Sequence, residues 1–410
     1  MKVLVVHNFY QQSGGEDGCF EAECEMLRSY GHEVIQHCAH NDDIKDMSRL
    51  SVAARTIWSR PSYREFRTLF QTHCPDVVHF HNTFPLISPS AYYAARAEHV
   101  PVVQTLHNFR ILCPSALFFR DGQVCEDCLG KSIPWAGIKH KCYRESRSAS
   151  LGVAAMTSFH RMIGTWKNAV NRYIALTEFS RKKFIDGGLP AEKIAVKPNF
   201  VLSDPGAGRG LGSYAIFVGR LSQEKGIGTL LQSWEAGNVA MPLKIVGDGP
   251  LAATVAEATG RCPNIEWLGK QSSQSVAELL ANAACLVLPS QCYENFPRVA
   301  VEAMAAGTPV IASRLGAMAE IVDHGRTGLL FAPGDAADLA KAVHRVMVNQ
   351  SELQHMRQNA RDEFEQKYTA AINHELLIGI YEQACGVRSM VQLADEPADH
   401  RVSLPVTIGE

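Results

Sequence analysis

The sequence predicts an α/β protein made of two doubly wound, Rossmann-like domains, each with a parallel sheet, arranged in tandem. Three observations carry this. Short β-branched runs alternate with amphipathic segments, the pattern of parallel sheets covered on both faces by helices. The alternation breaks once, over Pro198–Gly212, a Gly- and Pro-rich stretch without periodicity, and then restarts. The length, 410 residues, suits two domains better than one.

Taken in order, Lys2–His7 reads as the first strand, and Gly14-Gly15 turns the chain into a periodic segment from Cys19 to Tyr30 that Gly31 stops. Glu33–His37, Val77–His81 and Val102–Leu106 are the next strands, with a helix over Leu86–Glu98 between the last two. A strand at Tyr173–Leu176, a helix at Glu178–Asp186 and a strand at Ile194–Lys197 complete the first half. Beyond the linker, strands are expected at Ala215–Val218, Leu243–Val246, Ile265–Trp267, Cys285–Leu288 and Pro309–Ala312. Helices are expected at Gly228–Trp234, Leu251–Ala258, Ser275–Asn282 and Pro297–Ala306. This sets the domains at 1–198 and 213–368, joined by a linker over 199–212. Residues 386–410 lack any period and read as a frayed tail.

Composition excludes several classes. With 46% hydrophobic and 20% charged residues, 31 Gly and 19 Pro, the chain is neither disordered, collagenous nor disulfide-dense. A net charge of −2 argues against a dedicated nucleic-acid binder. No apolar run reaches the roughly 18–20 residues of a membrane span. The opening MKVLVVHNFY is too short in apolar residues for a signal peptide, so a cytoplasmic location is expected, with the 12 Cys as thiols or metal ligands. Charge is unevenly shared: residues 110–183 hold 13 basic and 5 acidic residues. Such a face suits an anionic membrane surface or a phosphorylated acceptor as well as plain solvent.

Open parallel sheets bind ligands at the carboxyl ends of their strands, so the loops that follow strands are where chemistry is expected. Ser290–Ala306, SQCYENFPRVAVEAMAA, is the richest of them. Pro297 fits the first helical position, and the free N–H groups there, with Asn295 and Phe296 before them, suit an anion or a hydroxyl. Glu294 in the loop and Glu302 on the helix suit vicinal hydroxyls, since an ionised carboxylate accepts paired hydrogen bonds. In Phe217–Gly228, FVGRLSQEKGIG, Arg220 and Lys225 place a guanidinium fork and a mobile ammonium on a strand-to-helix loop, a combination suited to a diphosphate. Val246–Pro250, with Asp248 and Gly249, marks a sharp turn at a strand end. Gly14 and Gly15 offer backbone N–H groups without Cβ interference. His107 follows a strand end. His79 and His81 alternate on one strand and share a face, but no third metal ligand has suggestive spacing.

Together, Gly14-Gly15, His107, GRLSQEKG at 219–226, GDGP at 247–250 and ENFPRVAVE at 294–302 resemble the retaining glycosyltransferases of family 4, which have the GT-B fold. The resemblance covers roughly residues 1–385 and is strongest from 214 to 332, where AMAAGTPVIAS and GRTGLLFAPGD also fit. It implies an acceptor-binding N-terminal domain and a C-terminal domain that binds a UDP- or GDP-linked sugar, facing across a cleft. A helix over 369–385 is expected to pack back on the N-terminal domain. Arg220 and Lys225 would hold the donor diphosphate and neutralise the leaving group in place of a metal. Glu302 would bind ribose hydroxyls and Glu294 the transferred sugar, within a pocket shaped by Asn295, Phe296 and Pro297. Gly15 would lie near the phosphates and His107 near the transferred sugar. Asn295 departs from the glycine usual in that loop. The chain has no Asp-x-Asp, the diphosphate–metal signature of the other main glycosyltransferase fold. Front-face attack with a leaving-phosphate oxygen as base is likewise implied by the resemblance. A nucleotide-sugar epimerase and a non-catalytic sugar-nucleotide-binding protein are the alternatives; a glycan or lipid-linked saccharide at the inner membrane face is the expected acceptor.

Between His107 and the helix near Ser150 lies an insertion, about 108–150, that the family does not generally have. Cys113, Cys125, Cys128 and Cys142 are spaced C-x11-C-x2-C-x13-C, with Cys125–Cys128 a knuckle able to hold two corners of a tetrahedral site. Structural zinc is the leading expectation, with His140 a substitute ligand; an iron–sulfur cluster or unligated thiols are the alternatives.

Overall fold

The computed structural model describes residues 1–386 apart from 12–13, 209–212 and 238. The end of the expected linker and the expected tail from residue 387 onward lie outside the described residues. Two six-stranded parallel sheets follow one another along the chain. Six strands of the first half, β1 (Lys2–Phe9), β2 (Glu33–His40), β3 (Val77–Phe80), β4 (Val102–Thr105), β7 (Arg172–Ala175) and β8 (Ile194–Val196), lie in the order β2-β1-β3-β4-β7-β8. A small antiparallel hairpin, β5 (Phe119–Arg120) and β6 (Gln123–Val124), sits within the insertion. The second sheet contains β9 (Ala215–Val218), β10 (Leu243–Val246), β11 (Ile265–Gly269), β12 (Cys285–Leu288), β13 (Val310–Ser313) and β14 (Gly328–Phe331), in the order β11-β10-β9-β12-β13-β14. The helices Arg49–Ile57, Arg60–His73, Ala336–Val348 and Gln350–Lys367 and strand β14 are among the elements that the sequence does not lead us to expect.

The central strands of both sheets are covered by apolar side chains on both faces, which is why they read as short Val/Ile/Leu-rich runs, whereas edge strand β2 is part-exposed. Each sheet reverses direction beside its first strand, and loops that leave the carboxyl ends there form the crevice in which such folds bind ligands. In the first sheet these are the turn at Gly14-Gly15 after β1, His81 after β3 and His107 after β4. In the second they are Gly219–Gly226 after β9 and Ser290–Pro297 after β12.

The chain passes between the domains twice, and the two passages lie side by side. Val201 bridges to Thr369 in parallel fashion, its N–H donating to the Tyr368 carbonyl at 3.1 Å. Arg361 grips Asp204 with two nitrogens, at 2.6 and 2.5 Å. Thr369 then caps the helix Ala370–Ala384. That helix lays Leu377, Ile380 and Tyr381 on the face of the first sheet formed by Val3, Val5, Val103 and Ile174. A further tie comes from Glu320, whose two carboxylate oxygens accept the Glu178 and Phe179 N–H groups at 2.9 and 2.8 Å. An acid of the C-terminal domain thus caps the N-terminal domain's helix Glu178–Asp186.

Candidate active site

On the C-terminal side, backbone packing joins the loops. Gly247 has φ +134°, and a Cβ there would fall 1.9 Å from the Gly219 carbonyl oxygen, so the turn at Gly247–Gly249 presses on the Arg220 loop. Leu221 N–H donates to the Asp248 carbonyl at 3.0 Å, while the Asp248 carboxylate accepts from Gly249 N–H at 2.7 Å. Arg220 is exposed, with no hydrogen-bond or ion-pair partner among the described residues. Gly226 has φ +73° and leaves no room for a Cβ, which would fall 1.8 Å from the Pro289 carbonyl oxygen. That contact, with Gln291 N–H donating to the Glu224 carbonyl at 2.8 Å, holds the Lys225 loop against the loop after β12.

Lys225 and Glu294 meet there: Nζ lies 2.6 Å from Oε1, which also accepts from Ser290 Oγ at 2.6 Å. Burial opposes ionisation of Glu294, but the ammonium and the hydroxyl outweigh it and lower its pKa, so the group is a carboxylate at neutral pH. Burial likewise opposes the Lys225 charge, and Glu294 more than restores it. Pro297 stands one position earlier than expected. Its ψ of 109° is extended, so it caps the helix Arg298–Ala305 from outside. Glu302 lies on that helix, 3.4 Å from Arg298, and burial raises its pKa against the pull of that guanidinium.

The N-terminal domain closes the crevice. The Asn295 side-chain amide donates to the Leu106 carbonyl, beside His107, while its Oδ1 is buried without a partner. Phe296 is buried, edge-on to Tyr368. Arg298 reaches the first helix, Gly15–Ser29, where a Cβ on Gly18 would lie 2.1 Å from its Nη1. Gly14 precedes that helix, its N–H donating to Asp17 Oδ2 at 2.9 Å, and both Gly14 and Gly15 face open space. Asp17 in turn holds His7 Nε2 at 2.7 Å. Glu16 adds a carboxyl, bonded by Asn108 at 3.2 Å and raised in pKa by burial. His107 Nε2 lies 2.9 Å from His81 Nδ1. A cavity of about 60 Å³ beside these histidines has room for one or two waters, not for a sugar.

The insertion touches the same crevice. Tyr293, next to Glu294, packs edge-on to Phe118 and Phe179 and bonds Glu126, which holds Lys183 at 2.6 Å. Cys113, Cys125, Cys128 and Cys142 are free thiols, each near enough to the others for their charges to interact. Backbone N–H groups of Asp127 and Gly137 donate to the sulfurs of Cys125 and Cys128. No three of these sulfurs come within 4.8 Å of one another, so the closed four-sulfur site expected from their spacing is not formed here.

The grouping of that closeness among the described residues is instead Glu23, His79 and His81, all buried. The missing third partner of the two histidines is thus Glu23, from the first helix. Lys197 Nζ already lies 2.8 Å from Glu23 Oε2, so the set is closed by the protein's own cation. Sequence reading missed Glu23, Lys197, Glu16, Asp17 and Tyr293. Glu23 carried a signal, being in phase with Phe20 and Leu27 on the buried stripe of its helix.

Comparison with known proteins agrees with this architecture. The family described as Glycosyltransferase Family 4 matches residues 21–204, and that described as Glycosyl transferases group 1 matches residues 211–363. An uncharacterized glycosyltransferase of Methanocaldococcus jannaschii is 31% identical over 159 residues, 38% of this chain and 44% of that protein. A phosphatidyl-myo-inositol mannosyltransferase of Mycobacterium leprae is 31% identical over 188 residues, 45% of this chain and 50% of that one. The chain therefore spans about half or less of the length of these relatives. Among solved structures, HepE of Anabaena in complex with UDP superposes with a TM-score of 0.67 at 18% identity, over 93% of this chain and 99% of that one. With both halves matched in order by the two families and the two-sheet architecture shared, this chain belongs to glycosyltransferase family 4 and has the GT-B fold.

Proposed function

We propose that the chain is a retaining glycosyltransferase that moves a sugar from a UDP- or GDP-linked donor to a glycan or lipid-linked saccharide, without a catalytic metal. The observation that carries this is the Lys225–Glu294 pair, set at the reversal point of the second sheet and tied through Asn295 to the strand end that bears His107. Arg220 and Lys225 bind the donor diphosphate and neutralise the charge that grows on it as the glycosidic bond breaks. When phosphate takes the ammonium, the Glu294 carboxylate is freed to accept sugar hydroxyls. Glu302 accepts the ribose hydroxyls, and the N–H groups around Gly14 and Gly15, together with the turn at Asp248 and Gly249, line the phosphate path. Front-face attack, with a phosphate oxygen taking the acceptor proton, fits a crevice rich in cations.

The N-terminal domain takes the acceptor. Leu117, Ile133, Trp135, Leu151, Met162 and Ile163 stand exposed on and next to the insertion, among Lys131, Lys139, Lys141, Arg144 and Arg147. Apolar tips within a cationic field suit the anionic inner face of a membrane and a lipid-linked acceptor held there. No helix among the described residues is long and apolar enough to cross a membrane. Cys113, Cys125, Cys128 and Cys142 would hold a structural zinc through their thiolates, and the ion would cross-link the insertion.

A thermal-shift series with UDP-glucose, UDP-galactose, UDP-N-acetylglucosamine and GDP-mannose tests the donor reading, because a ligand held by the native state raises its apparent stability. One donor is expected to raise the midpoint with wild type and not with Lys225→Ala. Equal response of both proteins to every donor refutes the phosphate role. Metal analysis of the purified chain against a Cys125→Ser, Cys128→Ser variant decides the zinc.

A further inference from the structure

Behind His107 lies a buried polar chain whose hydrogens can be placed by counting donors and acceptors. Glu23 sits at its base. Oε2 accepts from Lys197 Nζ at 2.8 Å, and that ammonium also donates to Asn373 Oδ1 at 2.9 Å. Oε1 faces two imidazole nitrogens, His79 Nδ1 at 2.9 Å and His81 Nε2 at 3.1 Å. Burial disfavours a charge on Glu23, but Lys197 and the two histidines outweigh it and hold its pKa well below the ordinary carboxylate range. An ionised carboxylate has lone pairs and no hydrogen to give, so both nitrogens facing it carry one.

This settles the next link. With its hydrogen on Nε2, a neutral His81 has a lone pair on Nδ1, and that atom faces His107 Nε2 at 2.9 Å. Burial and the adjacent imidazoles push His81 down to about 3 and His107 well below the ordinary histidine value, so neither ring is cationic at neutral pH. His107 Nε2 must then carry the hydrogen, and its Nδ1 is bare. That Nδ1 has no partner among the described residues and is not among the buried unpartnered atoms, so it is accessible, on a residue that follows the carboxyl end of β4.

We propose that His81, anchored by Glu23, is a positioning residue that locks His107 as the Nε2–H tautomer and so makes His107 Nδ1 a hydrogen-bond acceptor for a hydroxyl of the transferred sugar. The hydroxyl assignment rests on the glycosyltransferase reading; the tautomer does not. A bare Nδ1 takes a sugar hydroxyl and repels carboxylate or phosphate oxygens, which have no hydrogen to offer. The lock also reaches the last helix, since Asn373 and Tyr381 touch Lys197 and His79 (the phenol oxygen is 2.8 Å from Nδ1).

Ring-nitrogen NMR of the full chain labelled with ¹⁵N-histidine, with His107 assigned by its loss in His107→Gln, reads the tautomer directly. Wild type is expected to show a bare Nδ1 and a protonated Nε2. His81→Leu is expected to release His107 into a mixture, whereas His81→Asn, which offers an amide oxygen in place of Nδ1, retains the lock. In nucleotide release from UDP-glucose, His81→Leu should lower kcat about tenfold, the worth of one hydrogen bond, with KM for UDP-glucose little changed and His81→Asn close to wild type. A hydrogen on His107 Nδ1 in wild type, or an unchanged tautomer in a folded His81→Leu, overturns the proposal. Wild type that turns over none of the UDP-glucose overturns the hydroxyl assignment with this donor, while the NMR result still decides the tautomer.

Discussion

Replacing Lys197 by Met puts the buried charge chain to a direct test. The Lys197 and Glu23 side chains are 2% and 4% exposed, and their charged atoms lie 2.8 Å apart. Met matches the aliphatic stem of Lys but removes the ammonium from Glu23, leaving a buried carboxylate without that cation. Breaking a buried pair from one side costs about 3–5 kcal/mol, because the remaining charge is uncompensated. Removing both charges, as in Glu23→Gln with Lys197→Met, avoids that penalty and leaves the loss of hydrogen bonds such as that to Asn373, about 1–2 kcal/mol. Urea unfolding of the full chain, followed by fluorescence and circular dichroism, measures both. The loss should fall on the N-terminal transition, with the double variant more stable than the single. A Lys197→Met cost below about 1 kcal/mol, or a double variant no better than the single, would refute the reasoning.

Further outcomes follow from other contacts. Lys225→Ala should weaken binding of the donor nucleotide by about ten- to a hundredfold in calorimetry, since a charge-assisted hydrogen bond is lost and Glu294 is left facing the phosphates. Gly226→Ala should cost about 2–4 kcal/mol in the C-terminal urea transition, because it combines a left-handed backbone with a Cβ overlapping the Pro289 carbonyl. Acid should weaken the N-terminal domain early. His81, held at about 3 when folded and near 6.5 when unfolded, contributes stability that is complete above about pH 6.5 and lost as pH falls toward 3, at about 1.4 kcal/mol per pH unit. His107 acts in the same sense, and urea midpoints at pH 7, 6 and 5 measure the slope.

Much of the fold was legible because the central strands of both sheets are buried on both faces, so they stand out as short apolar runs between turn signals. Strand β12 matches its expected span of Cys285–Leu288 residue for residue. The helix Arg60–His73 was not legible: it buries only Ser62, Phe66 and Phe70, and Ser59, which caps it, reads like any loop serine. Strand β14 was hidden by its glycine start, although Gly328 lies too close to the Val310 carbonyl for any Cβ. At the site, local patterns picked out loops, not contacts between them. Lys225 and Glu294 stand 69 positions apart and Glu23 and Lys197 stand 174 apart, distances over which no periodicity carries information. The cysteine spacing picked out four thiols that the fold does bring near one another, though no three of their sulfurs lie within 4.8 Å.

The helix Ala370–Ala384 has a consequence for biosynthesis. The apolar face of Val3, Val5, Val103 and Ile174 is translated early, yet its cover of Leu377, Ile380 and Tyr381 emerges only after the whole second sheet. About 200 residues separate Ile174 from Leu377, so at about 5–20 residues per second that face waits on the order of ten to forty seconds on the ribosome. During that interval the nascent N-terminal half exposes an oily patch and a half-built charge centre, which makes it a natural client for holding chaperones until the last helix arrives.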